Sequence, residues 1–462
     1  MAVGGAGTES NIIEVSPNGR MVATLREAKA LAEPGDTIVV YPGTYDEGNL
    51  LKNGVNWFFM PGAIVYYNNP SITSGNARGI FDDRDTGAVT CRIGGFGEFV
   101  FNAGMAAFSG SPNYAPVNGP AALIGGIVIQ NAGSNITIQC RSVKVRSFFA
   151  FPTYVWAVYV LNCVQFDLTC NEIDDPGFNT SVQIGVDGDT NPVLVISNTS
   201  GVYWERGETY VRSGLLRAQQ LAFWGTRPVG SAANNLWMTV DLMQNVGSQS
   251  VMYVDDAAGG PTEQNWKTWI HVKEIRGGID ATGGYSIFAG GKHYINVDKI
   301  SSLAAGSAAI SIQVAASEVW LTSQKVSSTS KGIRVNASGV TLYATVLQIE
   351  DLGGMTTAIE MQAGTARIQG PWMKVLNGNG VTHSGGALRL LGATIDTSNT
   401  AAKLGVVATA AGLVLGGCTI KTGTGAAVGN AGTTVKCFPP CIGNIAATAT
   451  IQGTLTIDTN LA

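Results

Sequence analysis

Residues 237–243 read WMTVDLM, and four later segments repeat that pattern as WIHVKEI (269–275), YINVDKI (294–300), WLTSQKV (320–326) and YATVLQI (343–349). Each segment begins with an aromatic residue and ends with an apolar one, and the apolar position continues at Val375, Ile395 and Ile420. These closing residues follow one another at intervals of 32, 25, 26, 23, 26, 20 and 25 residues. Strand-like segments with a period in the twenties are typical of a β-solenoid, in which each repeat forms one coil and is stable only when stacked on its neighbours.

The composition of the 462-residue chain agrees with a solenoid. Apolar residues make up 45%, which supplies a continuous core, whereas charged residues make up only 13%, roughly half of the usual share. The 60 glycines are about twice the ordinary proportion. Ser, Thr, Asn, Gln and Gly must therefore cover most of the surface, and this favours a stable extracellular or particle-borne protein.

Charge and residue counts disfavour several classes of function. The net charge is −4 and no block of basic residues occurs, which argues against nucleic-acid binding. Seven scattered cysteines and three histidines predict neither a disulfide framework nor a metal site, no cofactor is expected, and the cysteines are predicted to be small buried residues. The first residues lack the features of a signal peptide, and no apolar run approaches the roughly 18 residues of a membrane span. We therefore expect a protein made in the cytoplasm of the producing cell, without membrane insertion.

A short helix is predicted near the N-terminus. Thr24 and Glu27 form a capping box, which predicts a helix over 25–32 with Leu25, Ala28, Leu31 and Ala32 as its apolar stripe. The stretch that follows reads PGDTIVVYPGTYDEGNLLKNGVNWFFMPGAIV over residues 34–65. A helix followed by such strands resembles the beginning of the right-handed parallel β-helix of pectate-lyase-like proteins, where the helix covers the open end of the first coil.

The resemblance implies an all-β fold: a right-handed, single-stranded parallel β-helix with a short N-terminal α-helical cap. We predict an N-terminal anchor or extension over 1–20, the β-helix over 21–436 with its helical cap at 24–32, and a C-terminal strand segment over 437–462 that closes the last coil or pairs with other protomers. Later coils each carry a second strand, predicted at 309–313, 332–335, 358–361 and 404–407. Longer intervals between earlier coils predict loops at 203–234 and 253–268.

The repeated aromatic residues are predicted to face outward. Mostly apolar positions flank them on both sides, and strand side chains alternate between faces, so if the flanking residues fill the core the aromatic column faces outward beside a polar column. Three interpretations remain open: a glycan-binding stripe, an interface with other protomers, and a stack beneath the chain's own loops. An inverted phase, with the aromatic column in the core, is a further alternative. The candidate binding or interface residues are Trp237, Trp269, Tyr294, Trp320 and Tyr343, with Arg206 and Trp266 from the predicted loops.

Four carboxylates are candidates for catalysis. Glycoside hydrolysis uses two carboxyl groups across a cleft, and the two predicted loops leave neighbouring coils. The candidates in them are Glu205, Glu208, Asp255 and Asp256. The alternative is that each is an ordinary solvated turn residue. A lyase set of base and Ca²⁺ ligands cannot be matched in this sequence, so the sequence leaves open whether the protein is an enzyme.

The chain resembles the β-helical spikes and fibres of bacteriophage virions. That resemblance implies a virion-associated structural protein that binds host-surface glycan and is located on a virion or outside cells. The expected partners are further copies of the chain in a homotrimer, other virion or surface proteins, and a cell-surface polysaccharide. A polysaccharide-degrading hydrolase or lyase on the same fold, and a structural surface or filament protein, are the alternative functions.

Overall fold

The structure is a computed structural model, and its described residues fall into two compact units, residues 1–219 and 220–462. Within these units the structure describes residues 10–69, 79–103, 124–147, 155–174, 183–186, 192–195, 199–204, 207–218, 223–226, 234–245, 252–255, 266–277, 285–287, 291–303, 306, 308–313, 317–397, 403–422, 428–430, 435–438, 442–444 and 455–457. The described chain forms β-strands and one short helix.

The first unit contains helix α1 (Leu25–Leu31) and sixteen strands among its described residues. The strands are β1 (Ile12–Val15), β2 (Thr37–Val40), β3 (Gly43–Tyr45), β4 (Asn56–Phe59), β5 (Ala63–Asn69), β6 (Phe81–Asp82), β7 (Thr90–Gly95), β8 (Glu98–Ala103), β9 (Ile124–Ile129), β10 (Asn135–Ser147), β11 (Val155–Val160), β12 (Gln165–Asp174), β13 (Gln183–Val186), β14 (Pro192–Val195), β15 (Thr199–Trp204) and β16 (Glu208–Ala218). One parallel ladder runs β1–β2–β4–β7–β10–β12–β16, and β3–β5–β8 joins it at β10. A second ladder runs β6–β9–β11–β15, and β13 pairs antiparallel with β14.

The second unit is more regular. Its strands are β17 (Phe223–Thr226), β18 (Asn234–Asn245), β19 (Met252–Asp255), β20 (Trp266–Arg276), β21 (Tyr285–Ile287), β22 (Gly291–Ser302), β23 (Ala308–Ile312), β24 (Ser317–Ser328), β25 (Lys331–Val335), β26 (Thr341–Asp351), β27 (Thr357–Met361), β28 (Thr365–Gln369), β29 (Trp372–Lys374), β30 (Asn379–His383), β31 (Ala387–Leu391), β32 (Thr394–Thr397), β33 (Val406–Ala408), β34 (Leu413–Gly416), β35 (Thr419–Thr422), β36 (Val428–Asn430), β37 (Val435–Phe438), β38 (Ile442–Asn444) and β39 (Leu455–Ile457). The predicted second strands are present as β23, β25, β27 and β33.

Strands of the second unit alternate between two parallel ladders along the chain. The main ladder runs β18–β20–β22–β24–β26 and then divides into β28–β31–β34–β37–β39 and β29–β32–β35–β38. The other ladder runs β17–β19–β21–β23–β25–β27–β30–β33–β36. Because each strand pairs with the equivalent strand of the next repeat, the arrangement is consistent with a β-solenoid. The main ladder continues past residue 436 through β38 and β39.

The division of the main ladder after β26 follows from glycines at the corners of the coils. In β18 the corner is a bend within one strand, where Val240 and Met243 are both buried and Asp241 between them is exposed. In the later coils the corner residues Gly370, Gly392 and Gly417 have φ values of 77°, 63° and 61°. Residues with a Cβ rarely adopt such a left-handed backbone, so these glycines end one strand before the next begins.

The core of the second unit confirms the predicted alternation. The positions before and after each aromatic residue are buried, as at Leu236 and Met238 or at Val319 and Leu321. The predicted closing residue Val375 was wrong by two positions, because Met373 is the residue in register with Ile349 and Ile395. Both residues are buried and two apart, so the apolar pattern alone does not distinguish them.

The predicted loop at 203–234 was also wrong. Residues 208–218 form β16, which continues the main ladder of the first unit through its pairing with β12. The end of β15, strand β17 and the start of β18 also lie within the predicted range. In the predicted loop at 253–268, residues 253–255 belong to β19 and 266–268 to β20, and the residues between them lie outside the described chain.

Helix α1 has the predicted capping box, since Thr24 Oγ1 accepts from the Glu27 N–H at 3.2 Å and Glu27 Oε2 accepts from the Thr24 N–H at 3.3 Å. The loop after β3 closes both ends of the helix. Glu47 accepts hydrogen bonds from the N–H groups of Leu25 (2.9 Å) and Arg26 (2.6 Å), and Lys52 donates to the Ala32 carbonyl. The predicted apolar stripe is confirmed at Leu25, Ala28 and Ala32, which are buried, and was wrong at Leu31, which is 61% exposed.

The cysteines are small buried residues, as predicted, at the six positions that the structure describes: Cys91, Cys140, Cys163, Cys170, Cys418 and Cys437. Burial raises the pKa of Cys91 and of Cys163 to about 12, which keeps both thiols protonated. Cys441 lies outside the described residues. In the described chain no helix has the length and hydropathy needed to cross a membrane.

We predict that Ile295→Asp prevents folding of the second unit. Ile295 is 3% exposed, and an aspartate there would bury an unpaired charge at a cost of several kcal/mol. The matched control is Asn296→Asp, one residue later on the exposed face of the same strand. Soluble yield and circular dichroism measure both variants. Normal folding of Ile295→Asp would contradict the assignment of faces.

Candidate functional site

The five repeated aromatic residues form one outward-facing column on the main ladder of the second unit. The column runs Trp237, Trp269, Tyr294, Trp320 and Tyr343, each in register with the next. The first four side chains are half-buried and Tyr343 is 43% exposed, whereas the residues on either side of each are buried. The predicted outward phase is therefore confirmed, and the alternative that these residues fill the core is wrong.

The five rings stack face to face in one continuous pile, called here the aromatic column. Successive ring centroids are 4.8, 5.6, 4.7 and 5.7 Å apart, and successive planes are inclined by 4°, 9°, 11° and 17°. In-register parallel strands impose this spacing, since adjacent strands lie about 4.8 Å apart. Each inner ring therefore has a ring on both of its faces. A ligand on this side of the sheet would meet ring edges rather than ring faces.

Beside the aromatic column lies a second column, two residues further along each strand. Its members are Thr239, His271, Asn296, Thr322, Thr345 and Gln369, each in register with the next. Thr239, Asn296, Thr322 and Thr345 are exposed and the other two are half-buried. Hydroxyl, amide and imidazole groups thus recur once per coil. We call this set the polar column.

Charged side chains on both sides of the aromatic column form ion pairs between adjacent coils. Lys292 lies 3.2 Å from Glu318 in the next coil, with its Nζ 6.0 Å from the centre of the Trp320 ring. Beyond the bend, Lys325 and Glu350 form a 2.6 Å ion pair, and Lys273 pairs with Asp241 at 2.7 Å. Such exposed pairs contribute little stability, and each joins opposite charges in adjacent coils.

Beyond Tyr343 the register of the aromatic column continues, but its side chains are no longer aromatic. The register continues through Arg367, Arg389, Val414 and Lys436. Sequence analysis missed Arg367 because counting back from Val375, rather than from Met373, reaches Gln369. The local excess of basic residues after residue 361 is the signal that could have revealed this part of the column.

The candidate catalytic residues are not described as a group. Glu205, Arg206 and Asp256 lie outside the described residues. Asp255 ends β19 and Trp266 begins β20, and only their backbone is described. Glu208 begins β16, where it is half-buried and in register with Gln165. Glu208 belongs to the first unit and Asp255 to the second, and the catalytic assignment stays a prediction.

The most buried carboxylates have structural hydrogen-bond partners. Asp82 accepts two hydrogen bonds from Arg84 Nε, at 2.9 and 3.1 Å, and Asp174 pairs with Arg217 at 2.7 Å. Asp83 accepts from the N–H groups of Gln130 and Asn131 and from Ser134 Oγ. Burial outweighs these bonds and raises the pKa of Asp83.

Asp351 closes a turn of the second unit by accepting five backbone N–H groups, from Gly353, Gly354, Met355, Leu376 and Asn377. Burial acts to raise the pKa of this carboxyl, but the N–H groups prevail and hold its pKa below the usual value. This carboxylate therefore joins two coils. Within the described chain no group of three or more His, Cys, Asp and Glu side chains is placed to hold a metal ion.

The three histidines have different environments. His271 belongs to the polar column. His293 is buried, with its Nδ1 3.0 Å from Thr268 Oγ1 in the preceding coil. His383 is buried on β30, its Nε2 donates to the Gly386 carbonyl at 3.1 Å, and burial lowers its pKa. Only His271 is placed where a ligand on the outer face could contact it.

Comparison of the chain with protein-family models, with curated proteins and with solved structures gave no match. The columns on the outer face of the second unit are therefore the features that bear on function. The distinctive feature of this surface is that three kinds of side chain, aromatic, polar and cationic, each recur at the spacing of the strands.

We predict that the aromatic column stabilises the second unit and that inner rings contribute more than end rings. Trp269→Leu removes two ring contacts and Tyr343→Leu removes one. At about 0.5–1.5 kcal/mol per contact, the inner substitution should cost about twice as much stacking energy. Chemical unfolding monitored by circular dichroism measures the difference.

The control for this comparison is Trp372→Leu. Trp372 is 41% exposed on β29 and stacks on no other ring of the described chain. Its replacement should change the unfolding midpoint little. Equal losses from Trp269→Leu and Trp372→Leu would show that the stacked rings contribute no more than any exposed tryptophan.

Proposed function

We propose that the protein is a structural β-solenoid of the kind found in bacteriophage tailspikes and fibres, and that the outer face of its main ladder binds host-surface glycan. The proposal includes a right-handed, pectate-lyase-like coil and a location on a virion or another extracellular particle. Helix α1 serves as its N-terminal cap. The burial of Leu25, Ala28 and Ala32 and the closure of both helix ends support that role.

The observation that carries glycan binding is the polar column. It presents one hydrogen-bonding side chain per coil in a row along the ladder, and four of its six members are exposed. A glycan is itself a linear array of hydroxyl groups, and the ring edges next to the polar column offer apolar contact to its C–H groups. The repeated spacing suits an extended polymer along the ladder better than a compact ligand, which would use only one or two coils.

The composition supports the particle-borne location. Charged residues make up 13% of the chain, and the exposed polar column consists of uncharged side chains together with His271. No observation among the described residues favours the enzyme alternative, because the most buried carboxylates take part in structural hydrogen bonds. The proposal is accordingly one of binding and assembly.

We predict that loss of polar-column side chains weakens glycan binding without loss of fold. The test compares the full chain with the Asn296→Ala/Thr322→Ala variant on an array of bacterial surface polysaccharides. Removal of two hydrogen-bonding groups should weaken binding about tenfold. Gln324→Ala is the matched control, because Gln324 is exposed on the same strand as Thr322 but lies at the bend, outside the polar column. Equal binding by all three proteins, or no binding by any, would contradict the proposal.

We also propose that the protein assembles as a homotrimer through the part of the main ladder at and beyond its bend, which leaves the polar column and its neighbours to glycan. Three exposed leucines there support this: Leu303 is 43%, Leu347 60% and Leu352 41% exposed. Sedimentation equilibrium should give a mass near three times that of the 48.0 kDa chain. A monomer at micromolar concentration would refute assembly and leave glycan binding to be judged by the array.

A further inference from the structure

Basic residues are concentrated at the C-terminal end of the second unit. Between residues 361 and 462 the sequence has six Lys and Arg residues and two acidic residues, Asp396 and Asp458. Between residues 220 and 360 it has nine basic and eleven acidic residues. A chain with a net charge of −4 thus ends in coils that are clearly positive.

Three of these basic residues share one column. Arg367 on β28, Arg389 on β31 and Lys436 on β37 are exposed and continue the register of the aromatic column, with Val414 between the last two. Their outward direction is fixed by the buried residues on either side, such as Ala366 and Ile368 around Arg367. We call Arg367, Arg389 and Lys436 the cationic strip.

The cationic strip lacks the compensation found elsewhere on the sheet. Arg367 and Arg389 are direct neighbours in adjacent strands, and neither forms an ion pair or hydrogen bond with another described side chain. Of the two acidic residues, Asp396 lies on β32 and not in this column, and Asp458 lies outside the described residues.

Like charges directly opposite each other destabilise a sheet. Lys299 and Lys325 are also like charges in register on adjacent strands, but they have carboxylates in the neighbouring coils. Glu274 is in register with Lys299, and Glu350 pairs with Lys325 at 2.6 Å. Among the described residues the strip has no such neighbour, so an anion placed between its two arginines would relieve the repulsion.

We propose that the cationic strip binds the acidic groups of a linear anionic glycan whose chain runs along the ladder beside the polar column. The inference rests on the proposed glycan-binding function and names the charge of the ligand. Strands lie about 4.8 Å apart, close to the length of one sugar residue. A glycan with a carboxylate on every sugar can therefore place an acidic group at each coil, and one with a carboxylate on every second sugar can place an acidic group at every second coil. Arginine suits this role because its planar guanidinium binds carboxylate or sulfate through two hydrogen bonds.

The density of charge favours a glycan over nucleic acid. Duplex DNA carries one negative charge per about 1.7 Å of axis and is bound by proteins with many phosphate contacts. The strip offers at most one cation per coil and is interrupted at Val414, and the aromatic ring faces that could stack on bases are occupied by one another. A sparsely charged polymer therefore fits better.

The test uses matched charged and neutral polymers. Alginate, hyaluronan and polysialic acid are each immobilised beside the same polymer after chemical reduction of its carboxylates to alcohols, together with a duplex DNA. The full-length protein should bind at least one acidic glycan more tightly than its reduced form, and high salt should weaken that binding.

Two variants with equal loss of charge locate the site. Arg367→Gln/Arg389→Gln should weaken binding to the acidic glycan about tenfold or more, because hydrogen bonds to charged groups are the stronger ones. Lys273→Gln/Lys299→Gln removes the same charge from the earlier coils and should leave binding within about twofold of the unchanged protein. Circular dichroism confirms that both variants are folded.

The outcomes separate this inference from the function on which it rests. Glycan binding that depends on Asn296 and Thr322 but is equal for acidic and reduced polymers would overturn the cationic strip and leave the proposed function standing. Binding that depends on the arginines but not on Asn296 and Thr322 would support the strip and overturn the role of the polar column. Tighter binding of DNA than of every acidic glycan, or equal loss in the two charge variants, would overturn the inference.

Discussion

In-register stacking of parallel strands is the interaction on which the structure depends. A single coil cannot bury its apolar side chains or satisfy the backbone groups of its strands, so each coil needs the next one. Register then repeats each side-chain position at the spacing of the strands. The buried columns, the aromatic column, the polar column and the glycine corners all follow from that repetition, and so does the unfavourable contact between Arg367 and Arg389.

Repetition has opposite effects on different side chains. Flat rings gain from it, because the strand spacing is also a favourable distance for stacking. Repetition changes the free energy of uncharged polar groups little, since water forms hydrogen bonds with them on the exposed face. Like charges are penalised unless a carboxylate is in an adjacent coil, as for Lys299. The same outward column therefore changes from a stabilising stack to a charged surface within one coil, between Tyr343 and Arg367. The stacked rings thus lie on one side of this change, and the arginines without an ion pair to a described side chain lie on the other.

Much of the second unit could be predicted from sequence because its coils keep one phase over many repeats. Aromatic residues flanked by apolar ones favour one assignment of inward and outward faces, and the burial of the flanking residues confirms it. The prediction failed where two registers fit equally well: Met373 and Val375 are both apolar and two residues apart, and period-two patterns do not distinguish them. That small error concealed Arg367. In the first unit the sequence predicts a loop in place of β16 because Gly214 interrupts the alternation, although Tyr210 lies six residues before the buried Leu216, as Trp237 lies before Met243. Glu205 and Asp256 lie outside the described residues.

The aromatic column has an optical consequence. Three tryptophans and two tyrosines with nearly parallel rings about 5 Å apart do not absorb independently, because their transition dipoles couple over such distances. The folded second unit should therefore show a strong near-ultraviolet dichroism and a quenched indole emission that scattered tryptophans would lack. Because the coupling depends on coils being in register, the signal reports the stacking of neighbouring coils rather than the presence of strands. The chain thus contains its own probe of register.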